Sequence, residues 1–203
     1  MPKGFIFDWS GTLSDNFSKF HEVCSLMFRD FGGEPLSEEE LKKNFTVPYM
    51  KFWNKYFPEV TKEMQDVLYE KYIHEVGRPG LHAGVEDVIK NLHGSGHKIF
   101  VVSSDWNSTF HPEVKASGLE EFFTESIGEV YDKSDTFLRM LKDHSLKNDH
   151  TYYIGDTDGD IGFGKAANIK TIGISWGSQH RDALAAAEPD FLIDDIKEME
   201  KFC

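Results

Sequence analysis

Short apolar runs alternate with helical patterns along most of this chain. Runs rich in apolar and β-branched residues predict buried strands at residues 5–9, 98–103, 151–155, 170–175 and 191–193. Helical patterns predict helices at residues 85–92, 108–117, 134–143, 158–167 and 196–202. Because strands that alternate with helices form a parallel sheet covered on both faces, this rhythm indicates an α/β core.

The segment after the first strand carries only helical patterns. Four of them follow one another, at residues 17–31, from Ser37 onward, at residues 49–56 and at residues 61–76. Ser37 and Glu40 have the spacing of a capping box, which predicts a helix start. Arg78-Pro79-Gly80 then breaks the pattern.

This helical segment is too long to be a crossover between two parallel strands. We therefore expect a separate all-helical domain, the cap, inserted into the α/β core. The predicted cap is residues 15–80, and the predicted core is residues 1–14 and 81–203. The cap is rich in aromatic residues, namely Phe45, Tyr49, Phe52, Trp53, Tyr56 and Phe57. Their helical spacing predicts a small hydrophobic core, with Tyr49 or Trp53 as the side chains that would face a site.

The charge balance argues against two classes of partner. The 203 residues include 35 acidic and 22 basic side chains, for a formal net charge of −13. Nucleic acids and anionic membranes bind clustered Lys and Arg, so neither is expected as a partner. A small anionic substrate remains compatible with this charge, because a bound divalent cation can dominate the local field.

Two cysteines, Cys24 and Cys203, lie far apart and have no metal-ligand spacing. They predict reduced thiols in a cytoplasmic protein, and a disulfide between them is the less favoured alternative. The N-terminal residues do not read as a signal peptide, and no apolar stretch reaches the roughly 18–20 residues of a membrane span.

Three polar side chains fall at or just past the carboxyl ends of predicted strands. They are Asp8, Ser103 and Asp156. Ligands of parallel α/β sheets bind beyond these ends, so we expect the three side chains to share one site. Two carboxylates and a hydroxyl are suited to binding a phosphate together with a metal ion.

The residues around Asp8 and Asp156 resemble two motifs of the haloacid dehalogenase (HAD) superfamily. Asp8-Trp9-Ser10-Gly11-Thr12 is similar to its first motif, Asp-x-Asp-Gly-Thr, and Gly155-Asp156 through Asp160 match its fourth, Gly-Asp-x-x-x-Asp. Ser103 and Lys133 stand where the second and third motifs are expected. The resemblance covers nearly the whole chain and implies a HAD-like Rossmannoid core with a cap, in a layout similar to phosphoglycolate phosphatase-like members.

The resemblance also implies roles for these residues. Asp8 would attack phosphorus and form an aspartyl phosphate, for which an ionised carboxylate is suited. Ser103 would bind a phosphoryl oxygen, and the charge of Lys133 would offset that of the nucleophile and the phosphate. Gly11, Thr12 and Ser104 would complete the phosphate-binding residues.

The expected cofactor is Mg²⁺, a hard cation that prefers oxygen ligands. By the same resemblance, Asp8, Asp156 and the main-chain carbonyl of Ser10 would ligate the ion directly. Asp160 would contact these ligands, or reach the ion through a water molecule. The side chain of residue 10 can therefore change without loss of the ion.

Residue 10 departs from the family motif, because Ser stands where the second Asp is usual. In related phosphatases that Asp protonates the leaving oxygen and then activates the water that cleaves the aspartyl phosphate. Such catalysis contributes typically about 10²–10⁴-fold, and a hydroxyl is too weak an acid and a base to supply it. We expect a phosphatase of a small phosphorylated metabolite that favours good leaving groups, such as acyl or aryl phosphates, unless Asp15, Asp105 or the substrate supplies a proton.

Three other functions remain open at this stage. Phosphonoacetaldehyde hydrolases read Asp-Trp-Ala-Gly-Thr in the first motif, but their Schiff-base lysine falls at Tyr49 here, with Lys51 two residues away. The 2-haloacid dehalogenases also lack the second Asp, but they do not use the metal that Asp156 and Asp160 would serve. A catalytically impaired phosphate-binding protein is the third alternative. The substrate and the oligomeric state are not indicated.

Overall fold

The computed structural model describes residues 2–202. Its strands are β1 (Gly4–Phe7), β2 (Ser14–Asp15), β3 (Gly80–Leu81), β4 (Lys98–Val102), β5 (Glu125–Ile127), β6 (Thr151–Gly155), β7 (Lys170–Ile174) and β8 (Phe191–Ile193). Its α-helices are α1 (Phe17–Asp30), α2 (Glu38–Asn44), α3 (Met50–Tyr56), α4 (Lys62–Ile73), α5 (Val85–Gly94), α6 (Asn107–Ser117), α7 (Ser134–Asp143), α8 (Asp158–Ala166) and α9 (Arg181–Ala186).

The core is a six-stranded sheet in the order β5-β4-β1-β6-β7-β8, with every neighbouring pair parallel. Side chains of β1 alternate between its faces, as in any strand. Phe5 and Phe7 pack with α5, α6 and the C-terminal turn, and Ile6 packs on the other face with α7. Full burial of such a side chain contributes about 1.5–3 kcal/mol to the free energy of folding. The predicted α/β class with a parallel sheet is therefore observed.

Several short elements differ from the sequence-based expectation. The edge strand β5, the helix α9 and the two-residue strands β2 and β3 were not predicted. β5 is only three residues long and half-buried, so it lacks the apolar run that identifies a buried strand. The last element, residues 196–202, is a 3₁₀-helix.

The cap helices α1 to α4 surround a hydrophobic cluster of their own, which contains Phe28, Phe52 and Trp53. The chain enters and leaves this region through β2 and β3, which pair antiparallel. The predicted capping box is present at the start of α2, where Ser37 and Glu40 each bind the other's backbone N–H. The division into residues 15–80 and a two-part core stays a prediction, and its boundaries fall in this β2–β3 ribbon.

Within residues 2–202, none of the helices has the length and apolar character needed to cross a membrane. Cys24 is a free thiol buried in the cap. Its predicted relation to Cys203 lies outside the described residues.

Candidate active site

Strand β1 delivers Asp8 to the carboxyl edge of the sheet. The Asp8 backbone N–H donates to the carbonyl of Ile154 on the neighbouring strand, at 2.8 Å. The chain then turns sharply at Gly11, whose φ of +77° favours glycine. A Cβ at Gly11 would also collide with the carboxylate of Asp156. The turn therefore brings the first and fourth motifs into direct contact.

Lys133 is the cation of the site, and its side chain is only 3% exposed. It precedes α7, and its ammonium donates to Asp8 at 2.9 Å, to Asp160 at 3.0 Å and to the Tyr153 hydroxyl at 2.7 Å. Burial alone would lower the pKa of Lys133, but the charges of Asp160 and Asp8 outweigh it and raise the pKa above its usual value. Lys133 therefore stays charged between two carboxylates.

Asp160 is held by hydrogen bonds to both carboxylate oxygens. One oxygen accepts from Lys133 and, at 2.7 Å, from Tyr153. The other accepts from the Thr157 backbone N–H and hydroxyl, as part of the capping box that starts α8. Although burial alone would raise the pKa of Asp160, Lys133 and these hydrogen bonds lower it. Asp160 is therefore an ionised, fixed carboxylate.

Asp8 and Asp156 are buried carboxylates. Among residues 2–202, Asp8 forms an ion pair with Lys133, and Asp156 forms none. Burial, followed by the charge of Asp160, raises the pKa of Asp156 to about 6. Burial also raises the pKa of Asp8, and the charge of Lys133 only partly offsets it. The Ser178 backbone N–H binds one Asp156 oxygen at 2.5 Å, and the Thr12 hydroxyl approaches the other at 3.4 Å.

The three carboxylates suit a metal ion. Asp8, Asp156 and Asp160 are all buried, and each offers an oxygen within 4.8 Å of the others. The main-chain carbonyl of Ser10 accepts no hydrogen bond from residues 2–202, so its oxygen is also available. Buried hard oxygen ligands with raised pKa values are what a divalent cation would stabilise in ionised form.

Ser10 and Ser103 share one acceptor, the carboxylate of Asp105. The Ser10 hydroxyl donates to an Asp105 oxygen at 2.5 Å, and the Ser103 hydroxyl donates to the same oxygen at 2.9 Å. Ser103 also accepts from the Asp105 backbone N–H at 3.1 Å. A carboxylate therefore lies one hydrogen bond from residue 10. Asp15, the other carboxylate considered from the sequence, is exposed and does not line the cavity described next.

A cavity of about 240 Å³ opens over Asp8, between the core and the cap. Most of the predicted site residues line it, namely Asp8, Ser10, Ser103, Ser104, Lys133, Asp156 and Asp160. Gly11 and Thr12 do not, and their backbone N–H groups already donate to Ser14 and Trp9. Both residues lie against Asp156 outside the cavity lining. That they bind phosphate stays a prediction.

Several residues of the site were not identified from the sequence. Tyr153 and Thr157 hold Asp160, and the Ser178 backbone holds Asp156. The Thr157 to Asp160 spacing of a capping box would have identified one of these contacts. The others depend on tertiary contacts that no local pattern reports. The two cap residues predicted to face a site, Tyr49 and Trp53, both line the cavity.

The sequence matches the model of one protein family. Its model, described as haloacid dehalogenase-like hydrolase, matches residues 5–174. Phosphoglycolate phosphatase of Vibrio cholerae serotype O1 is 26% identical over 224 residues, covering 94% of this chain and 92% of that protein. Pyrophosphatase PpaX of Oceanobacillus iheyensis is 25% identical over 202 residues, covering 96% and 93%.

A solved structure agrees with these relatives. A haloacid dehalogenase-like hydrolase of Streptococcus pneumoniae has a TM-score of 0.80 at 19% identity, with 99% of this chain and 98% of that chain covered. The chain therefore belongs to the haloacid dehalogenase-like hydrolase family. It is a hydrolase, and the predicted HAD-like α/β fold is confirmed.

Proposed function

We propose that this chain is a Mg²⁺-dependent phosphatase that hydrolyses a small phosphorylated metabolite through an aspartyl phosphate on Asp8. The observation that carries the proposal is the buried contact of Lys133 with the acidic triad, which is Asp8, Asp156 and Asp160, beneath a cavity. The names of the curated relatives, a phosphoglycolate phosphatase and a pyrophosphatase, support phosphate esters or anhydrides as the substrate class.

Asp8 is the proposed nucleophile. Its carboxylate oxygen attacks phosphorus, the bond from phosphorus to the leaving oxygen breaks, and that oxygen departs with the electron pair. Lys133, at 2.9 Å from Asp8, orients the carboxylate and offsets negative charge around the phosphoryl group. The backbone N–H groups of Trp9 and Ser10 donate to no acceptor within residues 2–202, so they are available to phosphoryl oxygens.

Mg²⁺ is the proposed cofactor. Asp8, Asp156 and the Ser10 carbonyl would hold it, with Asp160 behind them. When bound, it would neutralise carboxylate charge and polarise a phosphoryl oxygen. Burial raises the pKa of Asp8 and of Asp156, and both groups must be ionised to act, so a divalent cation beside them would hold them in their ionised form.

Asp105 is the proposed general base, with the Ser10 hydroxyl as a relay. In the second step, water attacks phosphorus of the aspartyl phosphate and passes its proton through Ser10 to Asp105. The phosphorus–Asp8 bond then breaks, and phosphate leaves. The 2.5 Å hydrogen bond between Ser10 and Asp105 supports this route. Residue 10 is Ser and so offers no carboxyl at the position of the family's usual acid, which favours substrates whose leaving groups need little protonation.

The structure gives less support to the other functions. A phosphonoacetaldehyde hydrolase needs a free lysine for its Schiff base, but Lys51 is exposed and does not line the cavity. The amine of Lys133 is buried and bound by Asp8, Tyr153 and Asp160. A metal-independent dehalogenase would not need the acidic triad.

A substrate screen tests the proposal. Phosphate monoesters, acyl phosphates and phosphonoacetaldehyde are compared in Mg²⁺ and in EDTA. We expect phosphate release from acyl or aryl phosphates that requires Mg²⁺ and is lost in Asp8→Asn. Metal-independent turnover, or turnover retained in Asp8→Asn, would contradict it. The cytoplasmic location, and the absence of nucleic-acid and membrane partners, stay predictions.

A further inference from the structure

The cavity over Asp8 is acidic apart from one lysine. Its acidic lining residues are Asp8, Asp66, Asp105, Asp156 and Asp160. Lys133 is the one basic residue among the described residues that line it. The three hydrogen bonds of its ammonium to Asp8, Tyr153 and Asp160 leave it no free donor for the organic part of a substrate.

A cation beside the cap side of the cavity, Lys62, is also paired. The ammonium of Lys62 lies 5.9 Å from the ring centre of Tyr49 and 5.7 Å from that of Tyr131, two residues that line the cavity. It forms an ion pair with Asp66, which also accepts a hydrogen bond from the Tyr49 hydroxyl at 3.1 Å. Among residues 2–202, both cations near the cavity are therefore already bound to carboxylates, so a second anionic group on the substrate would lie among carboxylates at a cost in binding free energy.

The walls above the acidic floor are aromatic. The lining rings are those of Phe20, Phe45, Tyr49, Trp53, Tyr69, Trp106 and Tyr131. Cap and core meet where Tyr69 packs edge-on against Trp106, with ring centres 5.6 Å apart. Such walls favour a flat, apolar ring, which stacks on or packs edge-on against aromatic faces.

Gln65 supplies a polar group in these walls. It lies on α4, is only 6% exposed and lines the cavity. Its side-chain amide forms no hydrogen bond with residues 2–202, although its backbone N–H binds Thr61. The amide is not among the fully enclosed unpaired side-chain atoms of residues 2–202, so it meets the open space of the cavity and its hydrogen bonds are available to a ligand or to water.

We infer that the organic part of the substrate is uncharged, carries a flat ring and presents a hydrogen-bonding group to Gln65. This inference rests on the proposed function, because it concerns the leaving group of the same phosphate ester. The inferred substrate differs from phosphoglycolate and pyrophosphate, for which two of the relatives are named, because each of those compounds carries a second anionic group.

Four phenyl phosphates test the inference, with hydrogen, carboxamide, carboxylate or aminomethyl at the para position. The carboxamide and carboxylate have almost the same shape and differ in charge, and each rate is divided by the rate of uncatalysed hydrolysis of the same compound to remove the difference between the two leaving groups. With Mg²⁺ we expect kcat/KM for the carboxamide to exceed that for the carboxylate by about tenfold or more, the effect of one unpaired buried charge. Equal or faster turnover of the carboxylate would overturn the inference, and so would fastest turnover of the aminomethyl compound.

Gln65→Leu tests the hydrogen bond. We expect the carboxamide to lose about fivefold in kcat/KM relative to the unsubstituted compound, the usual size of one hydrogen bond. Glu70→Leu, at an exposed position of the same helix, should leave this ratio unchanged. An equal loss for both compounds in Gln65→Leu would show a merely structural role and contradict the inference.

Labelling separates this inference from the proposed function. If acetyl phosphate labels Asp8 but the enzyme does not prefer the neutral carboxamide, the substrate inference fails and the proposed function stands. If acetyl phosphate never labels Asp8 and none of the phenyl phosphates is hydrolysed, the proposed function fails as well.

Discussion

The hydroxyl of Ser10 donates a 2.5 Å hydrogen bond to the carboxylate of Asp105, a residue 95 positions away in the chain. This contact places a carboxylate beside the position at which the family usually carries its second Asp. The site therefore keeps a carboxylate, Asp105, close to Asp8. This carboxylate would reach the reacting water through the hydroxyl of Ser10.

Asp105→Asn should slow the hydrolysis of the aspartyl phosphate more than its formation. With the proposed base gone, we expect kcat to fall by about 10²-fold, within the usual range of general base catalysis, and phosphorylated Asp8 to accumulate in the steady state. Rapid acid quench and intact mass measure the labelled fraction. Asp15→Asn, at an exposed carboxylate outside the cavity, is the control and should change neither quantity. An unchanged labelled fraction in Asp105→Asn would exclude Asp105 as the base.

Ser10→Asp should restore the missing acid for poor leaving groups. The new carboxyl would lie beside Asp105, and like charges raise the pKa of one of the two, which suits a proton donor. We expect kcat for alkyl phosphates to rise by up to about 10²-fold, with little change for aryl phosphates. The ratio of the two rates is the measurement. If this ratio stays constant, protonation of the leaving group does not limit the wild-type enzyme.

Asp156→Asn should change how the stability of the metal-free protein depends on pH. The folded pKa of Asp156 is about 6, above the unfolded value of about 3.9, so the folded state binds an extra proton between these values. The contribution of Asp156 to the free energy of unfolding therefore falls as pH rises through this window. We expect wild type to lose stability relative to Asp156→Asn between pH about 4 and about 6.

Urea unfolding in EDTA measures that difference, and added Mg²⁺ supplies a second readout. Above the pKa of Asp156, Mg²⁺ should stabilise the wild type and have little effect on Asp156→Asn. Parallel pH curves for the two proteins, or equal stabilisation by Mg²⁺, would contradict the assignment of Asp156 as a metal ligand.

Two capping boxes allow a matched comparison of stability and catalysis. Thr157→Ala removes the hydroxyl that donates to Asp160 at 2.7 Å, and Ser37→Ala removes its counterpart at the start of α2 in the cap. Each should cost about 1 kcal/mol in the free energy of unfolding. We expect only Thr157→Ala to lower kcat, because only its capping partner lies in the acidic triad. Equal kcat values in the two variants would show that Asp160 needs no support from Thr157.

The sequence predicted the parts of the fold that have strong local patterns. The buried runs of β1, β4, β6 and β7 and the helices α1 and α7 were correctly placed, because their periodicity is long and regular. Edge strand β5 was not, since residues Glu125 to Ile127 have no apolar run. Asp8 and Asp156 were predicted to share one site because both follow strands that end at the same edge of the sheet.

Other features of the site depend on tertiary contacts. The hydrogen bond from Ser10 to Asp105 and the unpaired amide of Gln65 arise from packing between segments distant in sequence. Asp105 was only one of two carboxylates that the sequence offered as a proton source, and burial separates it from exposed Asp15. The sequence of the cap does not distinguish Gln65 from a glutamine exposed to solvent. The burial of Gln65 depends on the packing of α4 against other segments.

Trapping of the phosphorylated enzyme tests the central claim most directly. Asp105→Asn is incubated with Mg²⁺ and acetyl phosphate, quenched in acid and analysed by intact mass and peptide mapping. We predict one added phosphoryl group on Asp8, lost when EDTA replaces Mg²⁺ and absent when Asp8 is also changed to Asn. Wild-type hydrolysis of acetyl phosphate without any label on Asp8 in Asp105→Asn would contradict the account.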